Sequence, residues 1–152
     1  MALPNIFTQS VADTFIGRIE KLNAQTNPQW GKMDVSQMMA HCNVTYAMAF
    51  DENYKKSGAF MRFILKNLAK KSIVDESPLK KNGSTAPEMV IKTAKNFAEE
   101  KATLISNLQK TVKVGGSFFE GKDHPGFGVM TTPEWNNFYY KHIDHHLTQF
   151  GV

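Results

Sequence analysis

The sequence predicts an all-α fold, a four-helix bundle with an additional helical insertion between core helices 2 and 3. Apolar residues recur at three- and four-residue spacing along four long stretches, the period of helices that bury one face. Helix-capping residues precede three of these stretches, and no segment shows a convincing strand alternation. Such helices joined by loops of moderate length are typical of bundles. The 152 residues are expected to form a single domain, 1–152.

The predicted helices cover residues 10–22, 34–50, 57–71, 85–114 and 132–150. The second begins at a capping box of Asp34 and Gln37, and the third core helix is expected to begin at a similar box of Thr85 and Glu88. Thr132 is expected to cap the last helix. The segment between residues 115 and 130 is rich in glycine and aromatic residues, which favours an ordered, functional loop.

Composition restricts the compartment and the partners. The one cysteine, Cys42, allows no internal disulfide, and neither a signal peptide nor a membrane span is evident, so a cytoplasmic protein is expected. The net charge of +4 arises largely from a basic region, Lys55–Lys81. That region suits an anionic partner or a membrane surface, but a solvated helical face that covers one end of the bundle is preferred. Because no nucleic-acid-binding motif is present, we do not expect nucleic acid as a partner. The missing membrane span and the preference for a solvated helical face likewise lead us to expect no membrane partner.

Two histidines stand out in the last predicted helix. His142 and His146 lie near the centre of its apolar stripe and are four residues apart, so that both imidazoles can reach one ion. A structural role for a single core histidine is common, but two buried imidazoles on adjacent turns both need partners. His145 lies at the edge of the stripe, where it is a surface imidazole or an acid or base near the site. Asp144 faces the opposite side and is expected to be solvated.

A third ligand should come from another helix, since bundles build metal sites from facing helices. His41 in the second helix is the obvious donor, although it lies at the edge of the apolar stripe there. His124 competes because it is close in sequence to the last helix, but a His-Pro pair in a turn is more often structural. Cys42 points into the middle of the stripe, where a free cysteine usually acts as a small hydrophobic residue.

Several segments together resemble the DinB/YfiT-like superfamily, and in particular a branch of it without assigned function. They are Met38-Met-Ala-His41, the helix start at Thr85, His124-Pro-Gly-Phe-Gly128, Thr132-Pro-Glu-Trp135 and Tyr140-Lys-His-Ile-Asp-His-His-Leu-Thr-Gln-Phe-Gly151. The resemblance implies a four-helix bundle that holds zinc, nickel or iron through three histidines, here His41, His142 and His146. It also implies a metal-dependent enzyme, either a thiol-dependent S-transferase or a hydrolase that acts on a small molecule.

Three neutral imidazoles would leave a coordination position open, as in catalytic zinc sites. A divalent ion there would lower the pKa of a water or thiol ligand, and His145 and His124 are the candidates for proton transfer. The partners expected are a small-molecule substrate, including a low-molecular-weight thiol, and a second copy in a homodimer. The alternative is a non-catalytic metal-binding stress or structural protein, because no glutamate lies beside either histidine motif as in His-Glu-x-x-His.

Overall fold

Helices form most of the molecule, so the predicted helical class is confirmed. The computed structural model describes residues 2–152. Its helices are α1 (Gln9–Glu20), α2 (Val35–Phe50), α3 (Ala59–Ile64), α4 (Lys70–Val74), α5 (Phe97–Val114) and α6 (Thr132–Gln149). A π-helical segment, Leu65–Ala69, connects α3 directly to α4. Two of the three long helices with a sequence-predicted cap, α2 and α6, begin within one residue of the predicted position.

The capping residues explain these two helix starts. The Asp34 side chain accepts from the Gln37 backbone N–H and the Gln37 side chain accepts from the Asp34 N–H, which is the predicted capping box. In α6 the capping residue is Thr131, paired with Glu134, and not the predicted Thr132. Both threonines precede the proline in the first turn, so the sequence leaves this boundary ambiguous by one residue.

The predicted start of the third core helix at Thr85 is wrong. That stretch forms only a 3-10 turn, Pro87–Met89, and Val90 after it is extended, with φ −79° and ψ 113°. The helix begins twelve residues later at Phe97, where the Asn96 side chain accepts from the Glu99 backbone N–H at 3.1 Å. Two consecutive β-branched residues follow Met89 and favour extended backbone, so the capping pattern at Thr85 is not followed by a helix.

The expectation that no strand is present is also corrected. Strands β1 (Lys122–His124) and β2 (Gly128–Met130) pair antiparallel, with Lys122 opposite Met130 and His124 opposite Gly128. Three-residue strands are too short to show an alternating pattern, which is why the sequence did not reveal them. The segment is ordered as predicted, and a 3-10 turn, Gly116–Phe119, links α5 to the hairpin.

The apolar core lies among the four long helices. Helix α2 contacts α5 and α6, and α1 contacts the same two helices. The largest fully buried side chains come from these helices and from the turn before the hairpin, and they include Trp135, Tyr46, Tyr139, Phe15 and Phe119. The buried aromatic rings of α6 therefore pack this helix against the neighbouring helices and determine which of its faces points toward the core.

The predicted insertion is the continuous helical segment from α3 to α4, and it packs against α6 and the hairpin. Arg62 donates to Asp123 of β1 at 2.6 Å. The buried Lys141 of α6 donates to the Ser72 carbonyl at 2.9 Å and to the Asp75 carboxylate at 2.8 Å. Among residues 2–152, no helix has both the length and the apolar character needed to cross a bilayer.

Candidate metal centre

Three histidines from two helices converge in the interior. His41 comes from α2, and His142 and His146 come from successive turns of α6. One ring nitrogen of each lies within 4.8 Å of the others. In the part of the chain that the structure describes, this is the one group of three or more metal-ligand side chains that close together. The structure thus brings together all three residues that were predicted as ligands.

The rings are in direct contact. The Nε2 atoms of His41 and His142 are 3.0 Å apart, and the three pairs of ring centroids are separated by 4.8, 4.7 and 4.6 Å. His41 is 3% exposed and His146 is 8% exposed, whereas His142 keeps a partly accessible surface. The packing of α2 on α6 therefore buries His41, although its helix alone places it at the edge of the apolar stripe.

A backbone carbonyl orients His41. Its Nδ1 lies 2.8 Å from the Met89 carbonyl oxygen. Because a carbonyl oxygen only accepts, Nδ1 must carry the proton, and Nε2 presents a lone pair to the cluster. The Met89 carbonyl is free for this bond because the 3-10 turn ends there and the chain continues extended. The failed helix start at Thr85 thus has a structural role in the centre.

A glutamine orients His146 in the same way. Gln149 donates through Nε2 to the Trp30 carbonyl at 2.7 Å, so its Oε1 faces His146 Nδ1, which donates to it at 2.8 Å. His146 therefore also presents the Nε2 lone pair. Gly31 makes room for the glutamine, since a Cβ atom there would lie 2.5 Å from Gln149 Nε2.

Burial keeps the three imidazoles neutral. Desolvation lowers the pKa of His41, although its hydrogen bond to Met89 opposes the shift. The pKa of His142 is held well below its usual range by burial and by the neighbouring histidines. Burial lowers the pKa of His146 to about 3. At neutral pH all three residues are therefore in the form that binds metal ions, and no proton has to leave an imidazolium first.

His145 lies beside the centre and not within it. Its ring packs edge-on against His146 and against Trp30, with centroid distances of 5.2 and 5.7 Å. The Lys81 ammonium lies 4.1 Å from the Trp30 ring centroid. Trp30, Lys81 and His145, which we call the Trp30 cluster, thus form a group at the edge of the three-histidine centre. Burial lowers the pKa of His145, which keeps this imidazole neutral at pH 7.

His124 lies in the hairpin and has a structural environment. Its Nδ1 accepts from the backbone N–H groups of Gly126 and Phe127, both at 3.1 Å, and its ring stacks on Phe127 at 4.4 Å. Phe138 lies between it and the centre, in ring contact with both His124 and His142. His124 is therefore the organising residue of the turn, which agrees with the structural reading of the His-Pro pair.

The other polar residues considered from sequence lie outside the cluster. Asp144 pairs with Arg18 of α1 at 2.6 Å and its side chain is half-exposed. It is therefore less solvated than the sequence predicted. Cys42 is buried in the core with its Sγ 3.8 Å from Met38 Sδ, and burial raises the pKa of the thiol. A protonated, enclosed thiol of this kind is a packing residue and not a ligand.

Sequence reasoning missed the hydrogen-bond acceptors that orient the histidine ligands. The Met89 carbonyl gives no sequence signal because any residue has one, and it reaches His41 only through the tertiary fold. Gln149 was visible in principle, since it lies three residues after His146 on the same helix face. Such partners fix the tautomer and the orientation of histidine ligands in metalloproteins.

The donor set determines which ions the centre can hold. Three neutral imidazole nitrogens without a carboxylate or thiolate suit zinc, nickel and iron, and ligand type alone does not select among them. The buried group can therefore hold a divalent metal ion, and the identity of the ion is open.

Comparison with known proteins corrects the resemblance inferred from sequence. A family model described as protein of unknown function (DUF1569) matches residues 6–151. No curated protein and no solved structure matches the chain. The assignment to the DinB/YfiT-like superfamily is wrong, because nothing in these matches links the chain to it. Capped amphipathic helices and paired histidines are not specific to one superfamily, and the motif at Thr85 does not begin a helix. With nearly its whole length matched, the chain belongs to the DUF1569 family.

Proposed function

We propose that the protein binds a divalent metal ion through His41, His142 and His146 and is a metal-dependent enzyme that acts on a small molecule. The observation that carries this proposal is that hydrogen bonds at Nδ1 orient the rings of two of the three ligands. Met89 and Gln149 accept from the Nδ1 atoms of His41 and His146, so both Nε2 lone pairs are directed toward the cluster. A buried packing histidine also needs an acceptor for its ring N–H, so the support for a metal site is that these two bonds direct both lone pairs into one three-histidine cluster.

The spacing of the facing nitrogens supports a shared ion. Imidazole nitrogens bind zinc at about 2.0–2.1 Å, so two of them at 3.0 Å can both contact one ion. Without an ion, His142 Nε2 has to donate a proton to His41, whose own proton is committed to Met89. When bound, a divalent ion would act as a Lewis acid toward a molecule that takes an open coordination position.

The charges around the centre favour an anionic substrate. The three ligands are neutral, so the charge of a bound ion would not be compensated by protein carboxylates within the cluster. Lys81 in the Trp30 cluster adds positive charge nearby, and the indole and imidazole of that cluster offer flat surfaces. A thiolate or a carboxylate fits this environment, as required for S-transfer or for hydrolysis of an acidic substrate.

A second candidate, a non-catalytic metal-binding protein, is favoured by the absence of a carboxylate base. Among the described residues, the cluster contains histidines only, and burial keeps His145 neutral rather than poised as an acid. Tight binding of the ion without turnover would identify this function.

Reconstitution followed by activity screening distinguishes the two functions. Metal-free protein would be loaded separately with zinc, nickel or iron(II), and assayed for S-transfer from glutathione, bacillithiol or mycothiol and for hydrolysis of anionic esters. The proposal expects turnover with at least one metal, and its loss in His142→Ala but not in His124→Asn, which removes a histidine outside the cluster. Stoichiometric metal without turnover would support the non-catalytic function, and failure to bind any metal would refute both.

We also propose that the four long helices, α1, α2, α5 and α6, form a four-helix bundle. Their mutual contacts and shared apolar core support this architecture. An experimental structure in which these helices do not enclose one core would contradict it.

A further inference from the structure

The helical segment from α3 to α4 carries an apolar surface that faces away from the protein. Phe60, Phe63 and Leu68 are 77%, 66% and 79% exposed, and Met61 beside them is exposed as well. We call these four residues the outer stripe. They lie on adjacent turns of one helical segment, and large side chains grouped in this way on a monomer mark an interaction surface.

The outer stripe is distinct from the face of this helix that packs against the core. The opposite side of the same helix packs against the core through Leu65, Ala69, Ile73 and Val74. Both ends of the segment are anchored, by Arg62 on Asp123 and by Lys141 on Asp75. The helix is therefore held in place with one apolar face buried and a second one presented to solvent.

The surroundings of the outer stripe are basic. Residues 55–74 contain no acidic residue and include Lys55, Lys56, Arg62, Lys66, Lys70 and Lys71. Lys56 and Arg62 pair with Asp123, and Lys70 pairs with Glu134. Among the described residues, the exposed Lys55, Lys66 and Lys71 make no ion pair. Apolar side chains are thus flanked by unpaired positive charges.

We propose that the outer stripe docks the protein on the surface of an anionic lipid bilayer. The helix would lie in the interface, with Phe60, Phe63 and Leu68 among the acyl chains and the lysines at the headgroups. A second copy is a poorer partner, because a face-to-face dimer would bring the two basic surfaces together. The stripe protrudes from a convex helix, which a fluid lipid surface accommodates without a matching groove. This proposal replaces the expectation of no membrane partner, which rested on the missing membrane span and on the interpretation of this region as a solvated face that covers one end of the bundle.

Vesicle co-sedimentation tests the proposal. The full chain would be mixed with vesicles of pure phosphatidylcholine or of roughly equal parts phosphatidylglycerol and phosphatidylcholine. We expect binding to the anionic vesicles only. The double variant Phe60→Ser/Phe63→Ser should weaken it about tenfold, while Phe60→Leu/Phe63→Leu, which keeps apolar side chains at the same positions, should retain it.

Matched charge variants test the electrostatic part. Lys66→Glu/Lys71→Glu should weaken binding to anionic vesicles at least about tenfold, since each lysine near such a surface contributes to attraction. Lys21→Glu/Lys113→Glu makes the same change in net charge at exposed positions on other helices or their ends and should leave binding nearly unchanged. Circular dichroism confirms that each variant is folded.

Any of four results would overturn the proposal. The first is that the wild-type protein does not sediment with anionic vesicles. The second is that Phe60→Ser/Phe63→Ser binds these vesicles as well as the wild type does. The third is self-association in the absence of lipid that Phe60→Ser/Phe63→Ser abolishes, which would identify the stripe as a contact between copies. The fourth is binding of the wild-type protein to an acidic protein while it shows no affinity for vesicles, which would replace the lipid surface as the partner.

Discussion

Replacing Gln149 by leucine removes the group that orients His146. Leucine has a similar size and no amide, so the buried Nδ1–H of His146 loses its acceptor and the Trp30 carbonyl loses its donor. A buried unsatisfied group costs about 1–3 kcal/mol, and the half-buried Trp30 carbonyl can recover part of this loss from water. We expect the metal-free protein to lose about 2–3 kcal/mol of its free energy of unfolding.

The same substitution should weaken metal binding. Without Gln149, the His146 ring is free to rotate or to change tautomer, and loss of such a partner typically lowers metal affinity about 10–100-fold. Gln149→Glu separates the two effects. Its carboxylate still accepts from His146 Nδ1, so metal affinity is retained, but it also faces the Trp30 carbonyl oxygen, so stability falls.

Two assays measure these effects. Urea denaturation of chelator-treated protein gives the free energy of unfolding, and calorimetric titration with zinc gives the affinity. Gln109→Leu makes the same change at an exposed position of α5 and should alter stability by less than about 0.5 kcal/mol. If Gln149→Leu matched wild type in both assays, Gln149 would not be orienting a ligand.

Three further predictions concern residues around the centre and in the core. Gly31→Ala should destabilise the protein by about 2 kcal/mol or more in urea denaturation, because φ there is +85° and the added Cβ meets Gln149; an unchanged midpoint would contradict the close approach. Burial lowers the pKa of His124 to about 3, below that of the unfolded chain, so the contribution of this residue to stability is complete above about pH 6.5 and is lost progressively as the pH falls toward 3. At pH 5 this residue should cost about 2 kcal/mol, and His124→Asn should reduce the difference between unfolding free energies at pH 7 and pH 5 by that amount; an undiminished difference would refute the assignment. Native Cys42 should resist iodoacetamide and react in urea, and rapid labelling of folded protein would contradict its burial.

The long amphipathic helices could be predicted from sequence because their signals are local. The box at Asp34 led to the correct start of α2, since both partners lie within one helical turn. The equivalent signal at Thr85 failed because two β-branched residues after Met89 favour extended backbone, which leaves the Met89 carbonyl free for its long-range bond to His41. The hairpin escaped notice because its strands are only three residues long.

The candidate centre was predictable to a similar degree. Helical spacing alone was sufficient to pair His142 with His146. His41 lies at the edge of its stripe, and its burial depends on how α2 packs against α6, which no local pattern encodes. His41 was the obvious donor because bundles build metal sites from facing helices, and a resemblance to a superfamily to which the chain is not linked strengthened that choice. The structure places this residue in the cluster. The homodimer and the cytoplasmic location remain predictions.

Metal content is the most direct test of the three-histidine centre. Untagged wild-type protein and His142→Ala would be purified in parallel, dialysed and examined by elemental analysis, with circular dichroism to verify that both are helical. We predict close to one equivalent of zinc, nickel or iron in the wild type and almost none in the variant. Equal metal content in the two folded proteins, or none in the wild type even after incubation with each ion, would contradict the account.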